Sequence, residues 1–368
     1  MPIKVHRICF WVGQYGLERQ GQLLLQGFSK GFELGYNGPR ERRWAENLPY
    51  ILGKEELVRL KLEKEVDEGR MEGPFSDWPL ENLIVSPIGV VPKKEPGQYR
   101  LIHHLSWPEG VSVNYLIPEE LTKVSYASVD VAMALVEALG PSTLMATTDI
   151  KSAFRLLLVH PQDFKLLGIQ FQGSWYVDQA LCIGCSISCS LFECFSTFLQ
   201  WIFVQVTGHA SVTHYLYDLF LAGPRESDSC KVALENFQSL MGDLGVPLAP
   251  EKTVGPCTAL SFLGIELDTV DMVTRLPGEK KRVMLETVRS MIQKRKVAVK
   301  EIEALLLSGE RYDGGSEKKR GFSVAVAPSP FLVAETDNGH MTDENGWEEN
   351  MTRQLQIGQG WTVAGLRR

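Results

Sequence analysis

Apolar and polar residues follow a helical period in several stretches of the chain. Residues 54–70 place isolated apolar residues among Glu, Lys and Arg, which predicts a solvent-facing amphipathic helix. The apolar stripes at 128–139 and 231–244 predict two more helices, and 191–202 is apolar on most sides, as expected for a central helix. Residues 1–53 show no sustained period, so we interpret them as a loosely packed lead-in.

Short runs rich in β-branched and aromatic residues predict strands between these helices. Residues 84–91 and 98–102 flank a basic loop that contains Pro96 and Gly97, which predicts a hairpin. A strand at 144–150 reaches a carboxylate near its end. Further strands are predicted at 156–159, 168–171, 175–177, 212–216, 219–222, 260–267 and 272–276. Gln172, Gly173 and Ser174 lie between the strands at 168–171 and 175–177 and predict a hairpin there. This mixed order of helices and strands is typical of an α+β fold.

The periodic pattern ends after residue 307. Residues 308–320 lack any regular apolar spacing, and the remainder to Arg368 is rich in Gly, Asn, Thr, Asp and Glu, which predicts a disordered tail. For the chain as a whole, 44% hydrophobic and 23% charged residues favour a folded protein. The net charge of −7 disfavours a chain coated in basic charge but is compatible with a local basic groove.

The seven cysteines do not resemble a spaced disulfide framework, because four of them crowd into one apolar stretch. Together with an N-terminal apolar run that is too short for a signal peptide, this favours an intracellular, reducing location in the cytoplasm or nucleus rather than secretion. Glu193 and several polar residues within 180–206 favour a buried helix over a membrane span, so we expect no membrane partner. The clustered cysteines are Cys182, Cys185, Cys189 and Cys194.

Two metal-site hypotheses are disfavoured by spacing. Structural zinc sites usually need two separated ligand pairs, whereas the four clustered cysteines share one apolar turn and helix, where buried thiols are common. His103 and His104 are neighbours on a predicted strand, so their side chains face opposite sides of the sheet and do not predict a ligand pair.

Two carboxylates lie where a metal-dependent reaction could use them. Asp149 ends an apolar strand, and Asp218 lies on a predicted hairpin tip about seventy residues later. Side by side, two such elements could surround a metal pair that clamps an in-line phosphoryl displacement. A strand-end aspartate that merely caps the next turn is the alternative for either residue taken alone.

Six segments, in order along residues 22–306, resemble the polymerase motifs of reverse transcriptases. The similarity is most specific to retroelements of the DIRS and Ngaro type, which encode tyrosine recombinases. This implies a right-hand polymerase fold with fingers, palm and partial thumb. The segments are Leu23 to Phe32, Ser86 to Lys94 with Tyr99 to Ser106, Asp149 to Arg155, Gly184 to Cys189, Leu248 to Thr253, and Phe262 to Ile265.

The resemblance also implies roles for individual residues. The metal ligands would be Asp149, the backbone carbonyl of Ile150, and Asp218, holding two Mg²⁺ (or Mn²⁺) ions. Residues that would contact the incoming nucleotide are Lys93, Lys94, Arg100, Ser152, Ala153, Phe154, Gly184 and Lys252, with Phe154 excluding a 2′-hydroxyl. The primer grip would be Phe262, Leu263 and Gly264. The implied partners are an RNA or DNA template-primer and deoxynucleoside triphosphates.

The resemblance assigns four segments to the chain. Residues 1–73 are the lead-in with an amphipathic helix, 74–275 the fingers and palm, 276–307 the start of the thumb, and 308–368 the irregular tail. We identify no RNase H domain in the sequence.

The chain departs from the family at the hairpin tip. The family places Tyr, any residue, Asp and Asp there, whereas this chain has Tyr215, Leu216, Tyr217 and Asp218. A neutral phenol with a pKa near 10 is a poor Mg²⁺ ligand, so Tyr217 predicts an impaired RNA-directed DNA polymerase. Two alternatives stay open: a catalytically dead nucleic-acid-binding remnant, or a pseudogene product.

Overall fold

The computed structural model describes residues 2–93 and 97–294, together with the backbone of 323–324. The predicted disordered tail at 308–368 lies outside the described residues, apart from that short strand. The α-helices are α1 (Val5–Val12), α2 (Glu18–Lys30), α3 (Glu55–Asp67), α4 (Glu119–Thr122), α5 (Val129–Leu139), α6 (Ser188–Thr207), α7 (Ser229–Leu244) and α8 (Gly278–Gln293).

The strands alternate with these helices, which confirms the predicted α+β order. They are β1 (Arg43–Trp44), β2 (Met71–Phe75), β3 (Ile84–Val85), β4 (Ile88–Pro92), β5 (Tyr99–His103), β6 (Leu144–Asp149), β7 (Gly168–Phe171), β8 (Ser174–Asp178), β9 (Val212–Tyr215), β10 (Asp218–Gly223), β11 (Val254–Cys257), β12 (Ala259–Phe262), β13 (Ile265–Asp268), β14 (Val273–Arg275) and β15 (Ser323–Val324).

The chain divides into two compact units. The first contains Met1–Ser128, Ala146–Leu221 and Asp228–Val254. The second contains Val129–Met145, Ala222–Ser227 and Gly255–Arg368. The boundaries predicted from the sequence at 73, 275 and 307 stay predictions.

Three sets of strands organise the first unit. A five-stranded sheet has the order β1-β3-β7-β8-β2, β4 pairs with β5 as a hairpin, and β10 lies between β6 and β9. The β7–β8 hairpin turns at Gln172 and Gly173, both at positive φ, and pairs Phe171 with Ser174. Two positive φ values match a tight type I′ turn, so the hairpin predicted at this place is confirmed.

Helix α6 is the centre of the first unit's core. Ten of its 20 residues are buried, and Phe203 packs edge-on against Phe237 of α7 with ring centroids 5.4 Å apart. By length and composition α6 could cross a membrane, yet this burial is that of a core helix. The prediction of a central apolar helix is confirmed. Helix α7 also ends as predicted, with Gly245 in the left-handed conformation after Leu244.

The N-terminal residues differ from the predicted loose lead-in, because they form α1 and α2. Ile8 and Leu24 are fully buried, and the ring of Tyr15 lies 5.0 Å from that of Phe198 on α6. These short helices are stabilised by tertiary contacts, which a single-sequence period does not reveal.

Two predicted strands are also wrong in detail. The segment at 156–159 begins as a 3₁₀ helix over Ala153–Leu156 and then makes isolated bridges at Leu158 and Val159. The run at 260–267 is two antiparallel strands, β12 and β13, because Leu263 and Gly264 turn the chain at positive φ. In the second unit β13 pairs with β14, and β14 pairs with β15.

Candidate active site

Asp149 is buried at the end of β6 and is held by a lysine. Its side chain is 8% exposed, and its Oδ2 accepts a hydrogen bond of 2.8 Å from Nζ of Lys252. The backbone places the two residues together, since Ala249 N donates to the Asp149 carbonyl at 2.8 Å just before the short 3₁₀ helix Pro250–Lys252. Burial alone would lower the pKa of Lys252, but the hydrogen bond and charge of Asp149 raise it above its ordinary value. The lysine therefore stays an ammonium ion beside the carboxylate.

The β9–β10 hairpin brings its tip to the end of β6. Leu216, with a φ of 52°, and Tyr217 form the turn, and Asp218 begins β10 opposite Tyr215. The carbonyl of Tyr217 accepts a hydrogen bond of 3.0 Å from Ile150 N. The charges of Asp149 and Asp218 both act on Tyr217 and on Lys252, so the two carboxylates lie near the same groups. The structure thus brings together the three predicted metal-ligand positions.

The phenol of Tyr217 lies among four charged groups. Burial raises its pKa above the ordinary value of 10.0, the carboxylates of Asp218 and Asp149 raise it further, and Arg100 and Lys252 oppose them. The phenol is therefore neutral at neutral pH. Phe154 packs edge-on against the Tyr217 ring at 6.2 Å, so the residue predicted to exclude a 2′-hydroxyl lies directly beside the substituted position.

The residues between Asp149 and Phe154 form a tight turn. Ser152 is left-handed with a φ of 54°, and Ala153 begins the 3₁₀ helix that carries Phe154. The predicted nucleotide contacts Ser152, Ala153 and Phe154 therefore follow Asp149 closely, on a turn and a short 3₁₀ helix.

The predicted fingers contacts lie on the β4–β5 hairpin. Arg100 is exposed and pairs across the hairpin with Val91. Lys93 is exposed at the start of the loop, where its Nζ donates to Gln98 Oε1 at 3.3 Å. Lys94 lies outside the described residues.

The turn that contains Gly184 is pinned by a residue the sequence did not single out. Asn114 donates from Nδ2 to the Gly184 carbonyl at 2.7 Å, and its Oδ1 accepts from Ser186 N at 2.9 Å. Gly184 has a φ of 121°, and a Cβ there would lie 2.0 Å from the carbonyl oxygen of His103. Both the conformation and the close approach therefore require glycine.

We expect Gly184→Ala to lower the free energy of unfolding by more than about 2 kcal/mol, because strain and the backbone clash add. Gly173→Ala is the matched control: Gly173 also has a positive φ, of 81°, but its Cβ would meet nothing within 4 Å. The control should cost about 1 kcal/mol. Urea unfolding of both variants measures the difference, and equal losses would contradict the clash.

The predicted primer-grip residues belong to the second unit. Phe262 ends β12 and is buried, and Leu263 and Gly264 form the turn into β13. Lys280 of α8 donates to the Gly264 carbonyl at 3.2 Å, which ties this turn to the following helix.

Comparison with known proteins identifies the part of the chain that holds these residues. Residues 91–267 match the family described as reverse transcriptase (RNA-dependent DNA polymerase). They are a reverse transcriptase domain. No curated protein matches the chain.

Solved structures similar to this reverse transcriptase domain confirm the fold. A foamy viral protease-reverse transcriptase dRH in complex with dsDNA is 14% identical, with a TM-score of 0.57, over 84% of this chain and 52% of that one. The foamy viral protease-reverse transcriptase with dsDNA is 15% identical over 96% of this chain and 70% of that one, also with a TM-score of 0.57. The foamy viral protease-reverse transcriptase with an RNA/DNA hybrid is 13% identical over 83% of this chain and 40% of that one, with a TM-score of 0.54. The predicted α+β polymerase fold is therefore confirmed, and this chain spans about half of the first structure's chain.

The reverse transcriptase domain holds its hairpin tip through a glutamate that sequence reasoning missed. Glu193 of α6 is 9% exposed, and its Oε2 accepts from Leu216 N at 3.0 Å. In the sequence Glu193 was a polar interruption of an apolar helix. A buried charge of this kind usually has a specific partner, which is the signal that could have marked it.

Proposed function

We propose that this reverse transcriptase domain binds a template-primer duplex and deoxynucleoside triphosphates but is impaired in RNA-directed DNA polymerisation. The observation that supports this most directly is the arrangement of Tyr217 and Lys252 around Asp149. A neutral phenol occupies the position of the family's first hairpin carboxylate, and an ammonium group lies 2.8 Å from the remaining buried carboxylate.

The donor set does not fit two divalent cations. Mg²⁺ prefers carboxylate and carbonyl oxygens, and this site offers Asp149, Asp218 and the Ile150 carbonyl. Lys252 already neutralises Asp149, and a phenol whose pKa is raised by burial adds no negative charge. A two-ion mechanism therefore lacks both charge and a ligand at this site, and we assign no chemical step to metal ions in the unmodified protein.

The cationic groups suit the binding of a phosphate-bearing ligand. Arg100 and Lys93 are exposed on the β4–β5 hairpin, and Lys252 has a side chain that is 52% exposed. Arginine and lysine at such positions contact phosphate oxygens strongly, and their contribution to duplex affinity is sensitive to salt. The similar foamy viral structures hold dsDNA or an RNA/DNA hybrid, and this supports the same class of partner for this chain.

Two assays on the unmodified protein test the proposal. In the first, fluorescence anisotropy with a labelled RNA/DNA primer-template should show binding that weakens steeply as salt rises. In the second, primer extension with Mg²⁺ should be undetectable, and Asp149→Ala should change it no further. Extension at ordinary polymerase rates would overturn the impairment. Absence of any salt-dependent binding by a folded protein would favour the pseudogene alternative.

We also propose that the domain derives from a DIRS or Ngaro-type retroelement and acts inside the cell. The six ordered motifs support the lineage, and the crowding of four cysteines into one apolar stretch, unlike a spaced disulfide framework, supports a reducing compartment. A tyrosine recombinase gene in the genomic sequence beside this one would support the lineage. A flanking integrase of another type would contradict it.

A further inference from the structure

Three buried side chains with metal-binding atoms converge outside the candidate active site. His103 at the end of β5, Asp178 at the end of β8 and Cys182 in the following loop place their donor atoms within 4.8 Å of one another. Each residue is at most 5% exposed. Nitrogen, oxygen and sulfur donors together favour zinc over Mg²⁺ or Ca²⁺.

His103 is already oriented as a ligand. Its Nε2 lies 3.2 Å from the Gly168 carbonyl, so that nitrogen carries the proton and donates it. Its Nδ1 is buried and has no hydrogen-bond partner among the described residues. Histidine ligands commonly donate their second ring N–H to a carbonyl in this way, which leaves the other nitrogen's lone pair for a metal. An unpartnered buried nitrogen otherwise costs free energy.

The charged side chains around Asp178 carry a net negative charge, which favours a bound cation. Asp178 accepts two hydrogen bonds from Arg155, Arg155 pairs with Glu65, and Arg70 pairs with Glu65 and Glu68. Two guanidinium groups thus face three carboxylates. A divalent ion that displaces the Cys182 proton adds one net positive charge, which makes this set neutral. The Arg155 hydrogen bonds would hold the Asp178 carboxylate as a ligand in place.

We propose that His103, Asp178 and Cys182 form a site for one zinc ion, independent of the polymerase function. Zn–S and Zn–N bonds of about 2.3 and 2.0 Å require the three side chains to draw closer on binding. Three protein ligands leave a fourth tetrahedral position for solvent or another donor. The site differs from the four-cysteine set considered in the sequence, because its other two ligands are His103, distant in the chain at the end of β5, and Asp178, at the end of β8.

Cobalt binding to the full-length protein, purified free of metal, tests the site. Tetrahedral Co²⁺ with a sulfur ligand gives a near-ultraviolet sulfur-to-cobalt charge-transfer band and intense visible bands. We expect both bands to saturate at one Co²⁺ per chain and to disappear on addition of Zn²⁺. Cys182→Ser should weaken binding by about 100-fold or more. Asp149→Ala should leave the charge-transfer band unchanged, which separates this site from the candidate active site.

Cys185→Ser is the matched control, because Cys185 is buried in the same turn but is not one of the converging residues. It should retain the full charge-transfer band. If Cys182→Ser fails to fold, cadmium NMR of the unmodified protein reports whether one sulfur atom coordinates the ion. The proposal is overturned if the unmodified protein shows no sulfur-to-metal band, or if Cys185→Ser loses the band as completely as Cys182→Ser.

Discussion

Tyr217→Asp is expected to create Mg²⁺-dependent primer extension at least about 100-fold above the unmodified protein, since metal ions contribute several kcal/mol of transition-state stabilisation. The aspartate would lie beside Asp149 and Asp218, where the Tyr217 phenol now lies among their charges. It would provide the third carboxylate and remove the ring that packs against Phe154. Extension of a labelled primer on an RNA template, normalised to the amount of bound duplex, measures the gain.

Tyr217→Phe is the control for this prediction. It keeps the ring and removes the hydroxyl group, so it should remain as inactive as the unmodified protein. Adding Asp149→Ala to Tyr217→Asp should abolish the recovered extension. If Tyr217→Asp extends no better than Tyr217→Phe while binding duplex equally well, the missing carboxylate is not what limits the reaction.

The elements predicted well from the sequence are those whose signal is local. Gln172 and Gly173, two turn residues between β-rich runs, predict the β7–β8 hairpin, and both have positive φ. The end of α7 at Gly245 follows the same logic. In each case the residue type is dictated by backbone conformation at the same place in the chain.

The features that were missed depend on contacts between distant residues. Helix α1 is short, and its stability comes from packing rather than from a period that the sequence displays. The ion pair between Asp149 and Lys252 joins residues 103 positions apart. Motif resemblance placed both in one site, but neither spacing nor composition indicates that the lysine binds the carboxylate directly.

The order of motifs predicted which residues meet at the hairpin tip, but not what holds the tip. Asn114 and Glu193 stabilise the turns at Gly184 and Leu216 through hydrogen bonds to the backbone. An asparagine or a glutamate in one sequence is usually a solvated side chain, so residue type gave little reason to select them. Their role follows from hydrogen bonds that the fold makes between residues distant in the chain.

Loss of Arg155 should destabilise the fold strongly. Its guanidinium donates to both oxygens of Asp178 at 2.7 and 2.9 Å and to the Ala180 carbonyl at 3.0 Å, and it lies 2.9 Å from Glu65. The side chain of Arg155 is 13% exposed and that of Asp178 is 4% exposed. Arg155→Met would leave buried carboxylates without their partner.

We expect Arg155→Met to lower the free energy of unfolding by about 3–5 kcal/mol, the usual cost of removing one partner of a buried ion pair. Arg155→Lys should recover only part of this loss. It keeps the positive charge, but an ammonium group cannot reproduce the paired donors of a guanidinium. Arg59→Met is the control: Arg59 pairs with Glu56 and Glu63 on the exposed face of α3, where solvent screens the charges, so its loss should cost far less than the loss of Arg155.

The effect of pH distinguishes lost charge pairing from lost packing at Arg155. Burial alone would raise the pKa of Glu65, but the hydrogen bond from Arg70 and the charge of Arg155 hold it below its ordinary 4.5. As pH falls below 4.5, the ordinary pKa of Glu65, the unfolded chain takes up the proton before the folded protein does. The stability that the Glu65 ion pairs contribute is therefore present above this pH and is lost as pH falls through the lower pKa of the folded state. Urea unfolding of metal-free protein at neutral and acidic pH should therefore show a smaller acid-induced loss for Arg155→Met than for the unmodified protein. If the two lose equal stability on acidification, or if Arg155→Met costs no more than Arg59→Met, the buried charge network does not stabilise the fold in this way.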